Sequence, residues 1–94
     1  MIVSFRDRQT AHFAAGKRIK AFTGFERAAR LKLDRLEAAV ALTDLSALPG
    51  NRFEGLKGDR RGQYSIRIND QWRICFTWAK NEPGPSDVEI VDYH

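Results

Sequence analysis

The chain has 94 residues, 43% of them hydrophobic and 11% aromatic, and this composition indicates one folded domain over residues 1–94, since a second domain would need more chain. The single cysteine, Cys75, excludes an intrachain disulfide, so we expect a protein of the reducing cytoplasm. No apolar run approaches the roughly twenty residues that span a bilayer, so we expect no membrane partner. The formal net charge of +4, with an isoelectric point near 9.6, is compatible with a polyanionic partner.

Two short elements are predicted at the start of the chain. Residues 1–5 are mostly apolar and indicate a short first strand. Residues 8–15 then form a short helix that ends at Gly16, because glycine readily adopts the backbone conformation that terminates a helix.

A longer amphipathic helix is predicted next. Thr23 and Glu26 have the spacing of a capping box, in which the threonine side chain caps the helix and the glutamate returns a hydrogen bond. The helix should run over residues 26–42 and bury a stripe of apolar residues that recur at helical spacing. The members of this stripe are Ala29, Leu33, Leu36 and Val40.

The second half of the chain predicts antiparallel strands. A Pro-Gly-Asn turn at residues 49–51 separates it from the helical half, and strands are expected over residues 52–56, 64–68, 72–78 and 87–92. Asn69 and Asp70 should form a hairpin turn, because both residue types tolerate positive φ. Helices followed by antiparallel strands indicate the α+β class.

Alternation along the two central strands assigns a different chemistry to each face of the sheet. One face is apolar and should pack against the helices; it carries Tyr64, Ile66, Ile68, Trp72, Ile74, Phe76 and Trp78. The other face carries Ser65, Arg67, Arg73, Cys75 and Thr77. Its two arginines would either keep the face soluble or form a floor that binds phosphate.

Positive charge is concentrated in two parts of the chain. Residues 1–35 hold nine Lys/Arg against three Asp/Glu, residues 51–73 hold six against three, and residues 74–94 hold one against four. The basic parts could attract a polyanion, with steering that weakens as salt rises. Ordinary solvated helix faces explain the same charge equally well.

Chemistry-bearing residues gather in a basic turn and at the C-terminus. The turn at residues 57–62 lacks the spacing of a nucleotide-binding P-loop. His12 and His94 lie far apart in the sequence and no zinc-type spacing is present, so neither a metal nor another cofactor is expected. Asp92, Tyr93 and His94, by contrast, place proton-transfer groups after a predicted strand.

Three segments in this order resemble the HigB toxins of the RelE-like superfamily, also called plasmid-maintenance killer proteins. They are residues 56–62 (LKGDRRG), 64–74 (YSIRINDQWRI) and 91–94 (VDYH), and the resemblance extends over nearly the whole chain. It implies a RelE-like fold with N-terminal helices packed on a small, mainly antiparallel sheet. It also implies a toxin of a type II toxin–antitoxin system that cleaves messenger RNA on the ribosome and thereby inhibits translation.

The resemblance further implies partners and site residues. The partners are the ribosome with its messenger RNA and a HigA-like helix-turn-helix antitoxin. The toxin would contact operator DNA only indirectly, through this antitoxin. The matched catalytic positions are Lys57, Arg73, Asp92, Tyr93 and His94. Arg60 and Arg61 of the basic turn, together with Arg67, are expected to bind RNA. Some family members have a histidine where this chain has Glu54, whose carboxylate could act as a base but would repel phosphate.

The implied reaction is attack of a ribose 2′-hydroxyl on its neighbouring phosphate. Lys57 and Arg73 would stabilise the added charge, Tyr93 and His94 would transfer protons, and Asp92 would orient His94. Which of Tyr93 and His94 is the acid is left open. Two alternatives also stay open: a non-catalytic RNA- or DNA-binding module, and a degenerate toxin that retains only antitoxin binding.

Overall fold

A computed structural model describes residues 1–92 and has helices followed by a sheet. The α-helices of this part of the chain are α1 (Arg8–Ala14), α2 (Glu26–Ala38) and α3 (Leu42–Ser46), and the strands are β1 (Glu54–Gly55), β2 (Tyr64–Arg67), β3 (Trp72–Thr77) and β4 (Ser86–Asp92). The four strands form one sheet in the order β1-β2-β3-β4, and every neighbouring pair is antiparallel. This architecture confirms the predicted α+β class. None of the helices within residues 1–92 combines the length and apolarity needed to cross a membrane.

The predicted first strand over residues 1–5 is wrong, because this segment pairs with β4 through a single parallel bridge between Phe5 and Val88. The Val3 amide donates to the carbonyl of Pro85 at 2.8 Å, so the segment lies along the outer edge of β4. A regular ladder does not form, and the positive φ of 52° at Asp87 gives a physical reason, since it interrupts the extended backbone of β4.

Helix α1 is close to its predicted extent and is fastened to the sheet. The Asp7 carboxylate accepts from the Thr10 amide at 3.3 Å and caps its N-terminus, while Gly16 follows its end at φ 99°. Thr10 is fully buried, and its hydroxyl oxygen accepts from the amide of Ile90 on β4 at 3.1 Å. This hydrogen bond ties α1 to the central part of β4.

The predicted capping box at the start of α2 is wrong. Helix α2 begins at Glu26, and Phe25 occupies the cap position without a side-chain hydrogen bond. Thr23 lies inside a 3₁₀ helix over Lys20–Phe25, where its hydroxyl donates to the Lys20 carbonyl at 3.0 Å. Threonine hydroxyls often bond to nearby backbone carbonyls in this way. Because the Thr23 hydroxyl is engaged within the 3₁₀ helix, it does not cap α2.

The far end of α2 also differs from the prediction, because the helix ends at Ala38 and not near residue 42. The amides of Val40 and Ala41 donate to the Asp44 carboxylate at 2.9 and 3.2 Å, which diverts them from α2 and caps α3. Val40 is consequently 81% exposed, so its place in the apolar stripe was wrong. The other members of that stripe are buried as predicted: Ala29, Leu33 and Leu36.

The apolar face of the sheet packs against the helices, as the alternation predicted. Its buried members are Ile66, Ile68, Ile74 and Phe76, and they share one core with Phe13, Phe22 and Leu36 from the helical half. Tyr64, Trp72 and Trp78 lie partly buried at the margin of this core. The opposite face is less solvated than expected, because Ser65 and Cys75 are buried as well.

The hairpin between β2 and β3 forms at the predicted place but for a different reason. Asn69 and Asp70 do not have positive φ; among residues 1–92 the non-glycine residues with positive φ are Arg52 and Asp87. The Asn69 side-chain oxygen instead accepts from the amides of Gln71 and Trp72 at 2.8 and 2.7 Å. A side-chain acceptor thus replaces a backbone carbonyl in closing this turn.

Candidate active site

Arg73 is the most firmly held charged side chain of the matched site. It lies on β3, in register with Arg67 on β2 and Val91 on β4, and its side chain is only 13% exposed. Its Nε donates to the Ser65 hydroxyl at 2.8 Å and its Nη2 donates to the Arg52 carbonyl at 2.6 Å. Because the guanidinium group is planar, two bonds from different directions fix its orientation before any ligand arrives.

Glu54 contacts this arginine directly. It lies on β1, opposite Ser65 of β2, and its Oε1 is 3.6 Å from Arg73 Nη2. Half of the Glu54 side chain is exposed, so water screens the pair. Glu54, the position where the resemblance in sequence is incomplete, is therefore a neighbour of the residue expected to bind phosphate, and its charge opposes that of the arginine.

Lys57 lies on the turn that follows β1. It is exposed and precedes a 3₁₀ helix over Gly58–Arg60, and positive φ values at Gly58 and Gly62 allow the tight reversal. Within residues 1–92 its ammonium group makes no side-chain hydrogen bond or ion pair. Lys57 is thus available to an external anion, at a position three residues after the carboxylate that contacts Arg73.

The two arginines of the basic turn differ in their surroundings. Arg60 Nη1 donates to the side-chain oxygen of Gln63 at 3.0 Å and lies 3.3 Å from Glu89 Oε1, so it joins the turn to β4. Arg61 is exposed, without an ion pair in the described part of the chain. Of these two arginines of the turn, Arg61 is therefore the one without a competing carboxylate within residues 1–92.

Arg67 lies at the margin of a concavity beside Arg73. Its guanidinium forms an ion pair with Asp70, whose side chain is 99% exposed. The concavity has a volume of about 330 Å³ and is lined by Arg52, Arg67, Asn69, Asp70 and Arg73. Arg52 was not among the predicted site residues. Its only sequence signal is its place directly after the turn at residues 49–51, which does not indicate where the side chain lies.

Asp92 is the last described residue of the matched C-terminal motif. It is in register with Trp72 on β3, directly beside the Arg73–Val91 pair, and its Oδ2 accepts from the Gln71 side-chain amide at 2.9 Å. Arg73 and Asp92 thus belong to neighbouring pairs at the same end of the β3–β4 ladder, on opposite faces of the sheet because side chains alternate along a strand. The predicted proton-transfer residues Tyr93 and His94 lie outside the described residues.

The remaining reactive groups do not add to this site. Burial raises the pKa of the Cys75 thiol, with neighbouring Arg60 and Glu89 acting in opposite directions, so a reactive thiolate is disfavoured. Within residues 1–92 no group of three or more His, Cys, Asp or Glu side chains is placed to hold a metal ion.

Comparison with known proteins places the chain in a family. A family model described as the RelE-like toxin of type II toxin–antitoxin system HigB matches residues 3–94. The chain is 41% identical over 81 residues to Toxin HigB-1 of Vibrio cholerae, which is 84% of this chain and 85% of that protein. It is also 35% identical over 63 residues to Endoribonuclease HigB of Proteus vulgaris, which is 65% of this chain and 66% of that protein. The resemblance seen in the motifs is therefore confirmed, and the chain belongs to the HigB-like family of RelE-like toxins of type II toxin–antitoxin systems.

Proposed function

We propose that this chain, an endoribonuclease like its Proteus vulgaris relative, cleaves messenger RNA on the ribosome and so inhibits translation. The observation that carries this proposal is the setting of Arg73. Its guanidinium is mostly buried, is oriented by Ser65 and Arg52, and lies at the sheet end that also bears Asp92. A pre-oriented cation can stabilise the charge that builds on the phosphate when a 2′-hydroxyl attacks it.

The proposed reaction transfers the phosphate from the 5′-oxygen to the neighbouring 2′-oxygen. The 2′-hydroxyl gives its proton to a base as its oxygen bonds to phosphorus, and the bond from phosphorus to the 5′-oxygen breaks. An acid then protonates the leaving 5′-oxygen, leaving a 2′,3′-cyclic phosphate and a 5′-hydroxyl. Arg73 and Lys57 stabilise the charge that builds on the phosphoryl oxygens. Of Tyr93 and His94, one accepts the proton of the 2′-hydroxyl and the other donates a proton to the 5′-oxygen, and Asp92 orients His94.

Dependence on the ribosome follows from how little of the substrate this surface could hold. Within residues 1–92 the proposed site comprises a few side chains around a concavity of about 330 Å³, a small surface on which to align a single strand. Alignment of the reacting groups is worth several kcal/mol, roughly 7–11 in favourable cases, and the ribosome would supply it by holding the message. We further propose that the toxin binds a helix-turn-helix antitoxin and that it is located in the cytoplasm.

Primer extension on a translated message tests the proposal. We expect strong stops within the coding region when the purified toxin is added to a message engaged by ribosomes. The same message without ribosomes should remain intact at the same toxin concentration. Efficient cutting of the free message would instead identify a ribonuclease that does not need the ribosome.

A second candidate function is a degenerate toxin that binds its antitoxin but does not cut RNA. The contact between Glu54 and Arg73 favours it, because a carboxylate 3.6 Å from the phosphate-binding cation competes with the substrate. The primer-extension experiment separates the two: a degenerate toxin leaves the message intact with or without ribosomes.

A further inference from the structure

The concavity beside Arg73 collects more positive charge than the cleavage reaction uses. Arg52, Arg67 and Arg73 all line it, and within residues 1–92 Asp70 also lines it while Glu54 lies 3.6 Å from Arg73 Nη2. These two carboxylates offset part of the positive charge, and an anion bound in the concavity would offset more of it. Arg52 is the member of this set that neither the motifs nor the proposed chemistry assign.

The backbone of Arg52 adopts an unusual conformation that serves the same concavity. Its φ and ψ of 45° and 49° lie in the left-handed region, which residues other than glycine rarely adopt. In this conformation its carbonyl oxygen accepts from Arg73 Nη2 at 2.6 Å, and the residue lines the concavity. One residue therefore both orients Arg73 through its backbone and belongs to the lining of the concavity.

A buried polar network holds this conformation from the helical half of the protein. Asn51, the residue before Arg52, is fully buried; its amide donates to the Leu45 carbonyl at 3.0 Å and its oxygen accepts from Lys32 Nζ at 2.8 Å. Burial, followed by the nearby charges of Arg35 and Arg67, lowers the pKa of Lys32. Lys32 and Asn51 thus anchor the backbone that leads into Arg52.

We propose that the concavity lined by Arg52, Arg67 and Arg73 is a second phosphate subsite, which binds a backbone phosphate of single-stranded RNA next to the phosphate being cleaved. The proposal rests on the proposed function and adds Arg52 as a binding residue. A backbone phosphate matches the site because its oxygens accept from several guanidinium forks at once. Arg67 would exchange its exposed partner Asp70 for the phosphate at little cost, because water already screens that pair.

Binding to a short 2′-O-methyl RNA strand tests the subsite, since this strand keeps every phosphate but has no 2′-hydroxyl to react. Arg52→Gln keeps the backbone and most of the side-chain length but loses the charge. We expect it to weaken binding about tenfold and to reduce the slope of log affinity against log salt by about 0.7, the contribution of one phosphate contact to a single strand. Arg52→Gly should behave in the same way, because glycine adopts the left-handed conformation without strain.

Arg18→Gln is the matched control, because it removes the same charge from an exposed position between α1 and the first 3₁₀ helix. It should change the affinity by less than about twofold. Equal effects of Arg52→Gln and Arg18→Gln, or an unchanged salt slope for Arg52→Gln, would overturn the subsite. Failure of the proposed function would appear separately, as an intact message in primer extension, because binding to the methylated strand does not depend on cleavage.

Discussion

The carboxylate of Glu54 lies 3.6 Å from the guanidinium of Arg73, across the β1–β2 edge of the sheet. A carboxylate therefore lies next to the arginine for which we propose a role in phosphate binding. Arg73 already donates to Ser65 and to the Arg52 carbonyl, so its orientation does not depend on the carboxylate. The contribution of Glu54 to this site is consequently one of charge, and that contribution can be measured.

Replacing Glu54 by glutamine should strengthen RNA binding. The substitution removes a negative charge that repels phosphate, and because half of the side chain is exposed the gain should be modest, about two- to fivefold. Affinity for 2′-O-methyl RNA measures it, with Asp34→Asn on the exposed side of α2 as the control for loss of one carboxylate. Loss of cleavage with retained binding would show instead that Glu54 is the general base.

Lys57→Ala and Arg73→Ala should both impair cleavage but should differ in stability. Each removes a cation that stabilises the transition state, which typically costs about 10²–10³ in rate. Only Arg73→Ala also strips hydrogen bonds from Ser65 and from the Arg52 carbonyl, so it should lower the free energy of unfolding by roughly 1–3 kcal/mol. Primer extension and urea denaturation measure the two effects. A large loss of stability in Lys57→Ala would contradict the exposed position of that lysine.

Removal of Tyr93 and His94 should abolish cleavage and leave the fold in place. Strand β4 is anchored before these residues, because Val88 and Ile90 are buried in the core and the ladder with β3 extends to Asp92. Loss of a positioned acid or base costs about 10²–10⁴ in rate. Growth of cells on induction reports the activity, and the melting temperature reports the fold. If the shortened protein still arrests growth, the proton-transfer groups lie elsewhere and Glu54 is the first to examine.

Leu36→Ala and Val40→Ala should have very different effects on stability, although the helical spacing placed both residues on one stripe. Leu36 is fully buried, and its truncation should cost roughly 2–5 kcal/mol. Val40 is 81% exposed beyond the end of α2, so its truncation should stay within about 0.5 kcal/mol. Urea denaturation of the two variants provides the comparison. Similar losses in both would mean that α2 continues past Ala38 and buries Val40.

The buried thiol of Cys75 should make the protein less stable in alkaline solution. Burial raises its pKa in the folded state above the ordinary value of 9.0, so the unfolded chain loses this proton first. The stabilising effect is complete below about pH 9 and is lost as pH rises through the folded-state pKa. The unfolding free energy should therefore fall more between about pH 8 and about pH 10 for the native protein than for Cys75→Ala. Equal slopes would contradict this contribution.

The elements that could be predicted from sequence are those whose pattern is local. Alternation of side chains identified β2, β3 and the apolar face with Ile66 and Ile74, because a strand of period two has only two faces to assign. The ends of the elements were less predictable. Thr23 and Asp44 each had several backbone groups within reach, and the choice between them depended on how the chain packed.

The sequence by itself determined the family and the α+β architecture, because motifs and hydrophobic periods are properties of residue order. Only the tertiary structure decided that Glu54 faces Arg73, since that contact needs the register between β1, β2 and β3. It likewise decided that Arg52 lines the concavity beside Arg73. A left-handed backbone held by the buried side chain of Asn51 arises from packing between the two halves of the chain, which residue order does not display.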